Sequence, residues 1–233
     1  MSIKHHKGPK PDMDPAFAPL YEECRPYTLI HVERMYSLYK AVQYIVKKGV
    51  QGDFVECGVW KGGAAMMMAK TLLSMGVRDR KIYLYDTYEG MTMPTAEDKS
   101  IVRGAQPVMD IWNREKANDH NNWCYGPLEG VKSVMESTGY PSENIVYVKG
   151  PVEETLPKVM PGNIALLRLD TDWYSSTKHE MEHLFPSLVQ NGVLILDDYG
   201  YWAGARQAAD EYLAQHNIAL FLHRDDYSGA TGI

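Results

Sequence analysis

GDFVECGVWKGGAAMMMAKTLL, residues 52–73, reads as a strand, a glycine turn and a helix in direct succession. Asp53 to Glu56 forms the apolar strand, and the helix runs from about Gly62 to Ser74. Between them Gly58, Gly62 and Gly63 let backbone amides approach a ligand at the helix N-terminus. The spacing is not the GxGxxG of dinucleotide phosphates. Glu56, two residues before Gly58, would repel a pyrophosphate while suiting a ligand with a cationic or hydroxyl-bearing end. Met66, Met67 and Met68 read as helix packing.

Downstream, a second strand, Lys81 to Tyr85, ends at Asp86, placed to accept hydrogen bonds from the ribose hydroxyls of a nucleoside. Residues 87–126 lack periodicity and read as a functional lid or a flexible insertion. Its aromatics, Tyr88, Trp112, Trp123 and Tyr125, either wall an acceptor pocket or tack the loop to the core. Alternation then resumes: helix Leu128 to Thr138, strand Ile145 to Lys149, short helix Val152 to Pro157, strand Ile164 to Asp170 and helix Ser176 to Val189. Strand Val193 to Asp197, helix Ala203 to about Gln215 and a last strand near Ala219 to His223 complete it. Such alternation predicts an α/β fold: a mostly parallel sheet, helices on both faces and ligands at the carboxyl ends of the strands.

Two later strands end in acids: LLRLDTDWYSS, residues 166–176, and VLILDDY, residues 193–199. Asp170 and Asp172 stand two positions apart, which in a strand puts both carboxylates on one side. With no Lys or Arg read as nearby, four acids would repel one another in a dry crevice and call for a hard cation such as Mg²⁺ or for a shared proton; the plain alternative is a solvated surface. If Asp170, Asp197 and Asp198 hold Mg²⁺, a substrate hydroxyl beside it becomes more acidic, and Asp172 stands ready to remove the proton.

Upstream, residues 1 to about 27 carry Pro9, Pro11, Pro15, Pro19 and Pro26, which predicts an extended or partly disordered arm without a helix. His5 and His6 within it read as a solvated tail rather than a metal site. From Thr28, a possible N-cap, Ile30, Val32, Met35, Leu38, Val42, Ile45 and Val46 recur at helical spacing until Gly49. That gives an arm and covering helix over residues 1–49 and one main domain over 50–233. A formal charge of -6 argues against nucleic acid and anionic membrane surfaces as partners. Cys24, Cys57 and Cys124, odd in number and widely spaced, fit a reducing compartment, and no apolar run approaches membrane-span length, so the chain reads as cytoplasmic.

The segments FVECGVWKGGA, YDTYEGM, LLRLDTDWYSST and GVLILDDYGYWAGARQA together resemble the TylF/MycF (macrocin O-methyltransferase) family of S-adenosylmethionine- and Mg²⁺-dependent O-methyltransferases. The resemblance implies a class I (Rossmann-like) methyltransferase sheet with an N-terminal helical lid, assembled as a homodimer. It also implies methyl transfer to the hydroxyl of a small-molecule acceptor, a sugar or other natural product. Glu56, Gly58 and Gly62 would line the methionine end of S-adenosylmethionine, Asp86 its ribose, and Thr28 its carboxylate. Asp170, Asp197 and Asp198 would bind Mg²⁺, with Asp172 as general base. The chain departs from the family pattern in residues 87–126 and after DDYSG, regions that shape the acceptor pocket. A nucleotide-dependent oxidoreductase and a non-catalytic S-adenosylmethionine-binding protein are the alternative readings.

Overall fold

The computed structural model describes residues 8–102 and 107–233; His5 and His6 lie outside the described residues. Five parallel strands form the body of the sheet: β1 (Asp53–Cys57), β2 (Ile82–Asp86), β3 (Ile145–Lys149), β4 (Ile164–Leu169) and β5 (Leu188–Leu196). With β6 (Leu222–Arg224) and β7 (Ala230–Gly232) the sheet has seven strands in the order β3-β2-β1-β4-β5-β7-β6. β7 runs antiparallel to both neighbours, with Leu196 opposite Ala230 and Arg224 opposite Ala230 on the other side.

Strand side chains alternate between two buried layers, as the period of two requires. Phe54, Leu84 and Leu166 face a layer formed with α1 (Phe17–Cys24), α2 (Val32–Lys48), α3 (Gly63–Ser74) and α5 (Leu128–Ser137). Val55, Tyr85 and Leu167 face the other layer, formed with α6 (Val152–Thr155), α7 (Tyr174–His183) and α8 (Ala203–Gln215). α2 buries Val32, Met35, Leu38, Val42 and Ile45 on its inner face, each contributing about 1.5–3 kcal/mol. Met67 and Met68 are wholly buried and Met66 nearly so, in agreement with their reading as packing.

Four expectations need correction. The proline-rich arm contains a helix, α1, because Pro19 occupies its third position, where no N–H bond is lost. Phe17, Tyr21 and Cys24 are fully buried, and the Phe17 ring lies 5.1 Å from Tyr36 and 5.4 Å from Tyr39 of α2. α2 is N-capped by His31, not Thr28, whose hydroxyl accepts the Ile30 N–H at 3.3 Å; Gly49, at φ 70°, ends the helix as expected. α7 stops at His183 rather than Val189, since Pro186 sits in a tight 3-10 turn, Phe185–Ser187, and β5 begins at Leu188. β7 was absent from the expected elements, its three small residues having no periodicity to read.

Residues 87–126 hold one short helix, α4 (Val108–Arg114), among their described residues. Trp112 Nε1 donates to the Met91 carbonyl at 2.9 Å and Tyr88 Oη to that of Leu84 at 3.0 Å, so both rings tack the segment down. Tyr125 stacks on His120 at 4.2 Å. Among the described residues no helix is long and apolar enough to cross a membrane.

Candidate active site

The topological switch point lies between β1 and β4, which leave the sheet in opposite directions at their carboxyl ends. The chains stay in contact there: Asp170 N–H donates to the Cys57 carbonyl at 2.8 Å. Gly58, at φ 84°, turns so close to β4 that a Cβ would stand 2.0 Å from the Asp170 carbonyl oxygen. A second close approach occurs at Gly63, where a Cβ would meet the Tyr27 carbonyl at 2.5 Å and Thr28 Cβ at 2.7 Å. The N-terminal segment is thereby laid across the start of α3.

These ends open on a cavity of about 520 Å³. Thr28, Glu56, Gly58, Asp86, Asp170, Asp172, Asp197 and Asp198 all line it. Gly62 does not; it caps α3 in the left-handed conformation, facing Val131, while Gly63 and Ala64 reach the cavity.

The acids differ in partners. Asp86 accepts N–H bonds from Val59 at 2.6 Å, Trp60 at 3.0 Å and Tyr88 at 2.7 Å, so one carboxylate fixes the glycine turn to the end of β2. Glu56 places Oε1 2.6 Å from Arg168 Nη1, whereas its Oε2 is buried and unpartnered. Burial pushes Glu56 up to about 7, against the pull of Arg168.

The expectation of four acids without a basic partner is overturned. Arg168, 1% exposed, reaches Glu56, Asp197 Oδ1 at 2.6 Å and Asp170 Oδ2 at 2.8 Å. Arg34, from α2, pairs with Asp197 Oδ2 and holds Asp226 at 3.1 Å. Burial opposes ionisation of Asp197, but Arg168 and Arg34 outweigh it and hold that carboxyl below its usual range. The signal for Arg168 was present: two residues before Asp170 in a strand, it shares that residue's side. For Arg34, on a helix 163 residues from Asp197, no local pattern exists.

Asp170, Asp172 and Asp198 come together, one oxygen of each within 4.8 Å of the others. The pleat does not achieve this, because β4 ends at Leu169; a left-handed turn at Asp172, φ 70°, does. Burial pushes Asp172 up to about 7, with Asp170 and Asp197 adding repulsion, and Asp198 is raised well above its ordinary value, chiefly by burial. Asp198 Oδ2 is buried and unpartnered. Three converging carboxylates with an orphaned oxygen suit a hard divalent cation. Asp197 is not one of the three; both its oxygens are held by arginines, and Arg168 Nη2 bridges it to Asp170.

The remaining wall is aromatic. Trp123 lies 5.6 Å from Trp173 and 6.2 Å from Trp202, and Trp123 and Trp202 line the cavity. Of the four insertion aromatics, Trp123 alone does so. Trp202, which no sequence pattern marked, follows DDYGY.

Beneath the Asp170–Asp172 turn, Glu180 of α7 is fully buried with both oxygens unpartnered. Burial raises its carboxyl well above the ordinary value, with the Thr171 hydroxyl and Cys57 thiol beside it and Glu153 and Asp170 adding repulsion. The folded state thus keeps a proton that the unfolded chain releases, so this residue's contribution to stability is full at acid pH and declines as pH rises. Glu180→Gln should therefore raise Tm relative to the natural chain at pH 8 but hardly at pH 4.5, by calorimetry. An equal difference at both pH values would mean that Glu180 is ionised in the fold.

A sheet of this order, with an acid-lined cavity at the switch point, defines a class I methyltransferase. The family described as macrocin-O-methyltransferase (TylF) matches residues 22–231, and the chain belongs to it. It is similar, at 30% identity over 220 residues, to 8-demethyl-8-(2,3-dimethoxy-alpha-L-rhamnosyl)-tetracenomycin-C 4'-O-methyltransferase of Streptomyces olivaceus, covering 94% of this chain and 80% of that protein. Mycinamicin III 3''-O-methyltransferase of Micromonospora griseorubida is 29% identical over 203 residues, 87% of this chain and 76% of that one. The structure of the O-methyltransferase NovP superposes with a TM-score of 0.76 at 28% identity, over 88% of this chain and 81% of that one. The protein is thus an O-methyltransferase.

Proposed function

We propose that this enzyme methylates a hydroxyl of a small natural product, a sugar hydroxyl foremost, using S-adenosylmethionine and Mg²⁺. The carrying observation is the meeting, in one cavity, of the Asp170/Asp172/Asp198 trio with the glycine turn and the unpartnered Glu56 oxygen. When bound, S-adenosylmethionine supplies an electrophilic methyl group and Mg²⁺ supplies charge that acidifies a neighbouring hydroxyl. Glu56 Oε2 suits the cofactor's cationic amine, and Thr28 and Gly63 stand at the α3 N-terminus, where a carboxylate is favoured. Asp86, at the tip of β2, suits the ribose.

Asp170 and Asp198 are the carboxylates that would hold the cation, with Asp197 beside them, its arginine-held oxygens each keeping a further lone pair. Asp172 stands to take the proton of the acceptor hydroxyl, whose oxygen is the nucleophile that a bound S-adenosylmethionine would methylate. Trp123 and Trp202 offer flat faces to the acceptor, and the rhamnosyl group in the name of the tetracenomycin enzyme supports this acceptor class. Three free cysteines fit action in the cytoplasm, and a homodimer is the assembly expected by resemblance.

Calorimetric titration should show binding of S-adenosylhomocysteine and none of NAD, and binding of NAD alone would return the chain to the oxidoreductases. EDTA should abolish turnover of a glycosylated acceptor and Mg²⁺ restore it. Full activity in EDTA would remove the cation from the scheme.

A further inference from the structure

On α7, the segment HEMEH places His179, Glu182 and His183 at i, i+3 and i+4, on one helix face. None of the three lines the cavity. One donor atom of each lies within 4.8 Å of the other two, and the imidazole centroids are 4.1 Å apart. The protonated nitrogen of each ring is fixed by the backbone. His183 Nδ1 stands 2.8 Å from the His179 carbonyl, and His179 Nε2 stands 3.2 Å from the Leu156 carbonyl. A carbonyl only accepts, so these nitrogens carry the protons, leaving His183 Nε2 and His179 Nδ1 with lone pairs. Metal-bound histidines show this arrangement, the second nitrogen donating to a carbonyl that orients the ring. Glu182 is exposed and able to change rotamer, and neighbouring Lys178 turns toward the start of the helix, its Nζ 5.8 Å from the Tyr174 ring.

We propose that His179, Glu182 and His183 form a second metal site, for a borderline-soft divalent transition metal, Zn²⁺ foremost. Two imidazoles and one carboxylate match Zn²⁺ and Co²⁺, whereas Mg²⁺ prefers an all-oxygen set such as the carboxylate trio. At metal–donor distances of about 2.0–2.2 Å the donors must stand well inside the 4.8 Å that bounds them, an adjustment that Glu182 can supply, with water filling the fourth position. Through the His179–Leu156 bond the ion would brace the last turns of α7 against the segment after α6. Because α7 starts at Tyr174, just past the Asp170–Asp172 turn, this is a structural clamp on the element that carries the site.

The test is titration of Co²⁺ and Zn²⁺ into the full chain with saturating Mg²⁺, followed by Co²⁺ visible absorption and by Tm. One equivalent should bind with nitrogen-type absorption bands and raise Tm. His183→Ala and the His179→Ala/His183→Ala pair should weaken binding at least tenfold and lose the Tm increase while still binding S-adenosylhomocysteine; a His5→Ala/His6→Ala chain should bind as before. Binding unchanged in the double variant, binding competed away by Mg²⁺, or no binding at all would overturn the proposal.

Discussion

Arg168→Met is expected to destabilise the fold on the order of 3–5 kcal/mol, because it leaves buried charge without its partner. The side chain is 1% exposed and lies within 2.8 Å of Asp170 and 2.6 Å of both Glu56 and Asp197. Arg34 still holds Asp197 in the variant, but nothing comparable remains for Glu56 or Asp170. Those acids must take up protons, so the loss should be largest above pH 7 and smaller at pH 5, the stability curve of the variant falling more steeply as pH rises. Arg168→Lys should recover little, since one ammonium cannot span three carboxylates as a guanidinium fork does. Urea midpoints at the two pH values read the effect. A loss below about 1 kcal/mol at pH 8, less than a broken buried pair costs, would show that the three acids do not depend on this cation.

Asp172→Asn should lower kcat by about 10²–10⁴, the range for loss of a general base, while leaving S-adenosylhomocysteine affinity and the fold intact. The amide keeps the shape of the Asp172 turn, where the backbone sits at φ 70°, a conformation that asparagine also tolerates. The Mg²⁺ concentration giving half-maximal rate separates two roles for this residue. If it is unchanged, Asp172 acts on the acceptor's proton. If it rises and kcat recovers at high Mg²⁺, Asp172 belongs to the cation's ligand set, which its place within 4.8 Å of Asp170 and Asp198 would explain.

Much of the sheet could be read in advance because its strands are buried on both faces and spell continuous apolar runs: DFVEC, IYLYD, IALLRL and the second half of β5. Their acidic ends were equally visible, and Glu56, Asp86, Asp170, Asp172, Asp197 and Asp198 do share one cavity. What escaped was decided by contacts distant in sequence. Arg34 meets Asp197 and Asp226 across 163 and 192 residues, and α1 forms where prolines argued against it because an aromatic cluster holds it on α2. β7, three residues long, takes its structure from pairing with β5 and β6 rather than from any preference of its own. Trp202 was passed over because a single tryptophan carries no period, although its ring completes the aromatic wall.

The β6–β7 hairpin touches more than the sheet edge. Asp225 accepts hydrogen bonds from Ser37 at 2.8 Å and Thr231 at 2.7 Å, and Asp226 pairs with Arg34 across 192 residues. A polypeptide emerging amino end first thus exposes Asp170–Asp172 and Asp197–Asp198 to the cell well before the hairpin that anchors Arg34 has been made. Closing so wide a loop carries an entropic cost that the contacts made by the hairpin must offset. Until this clasp fastens, Arg34 lacks Asp226 as a partner, and α2 is held to the carboxyl end of β5 by the pairing with Asp197 alone.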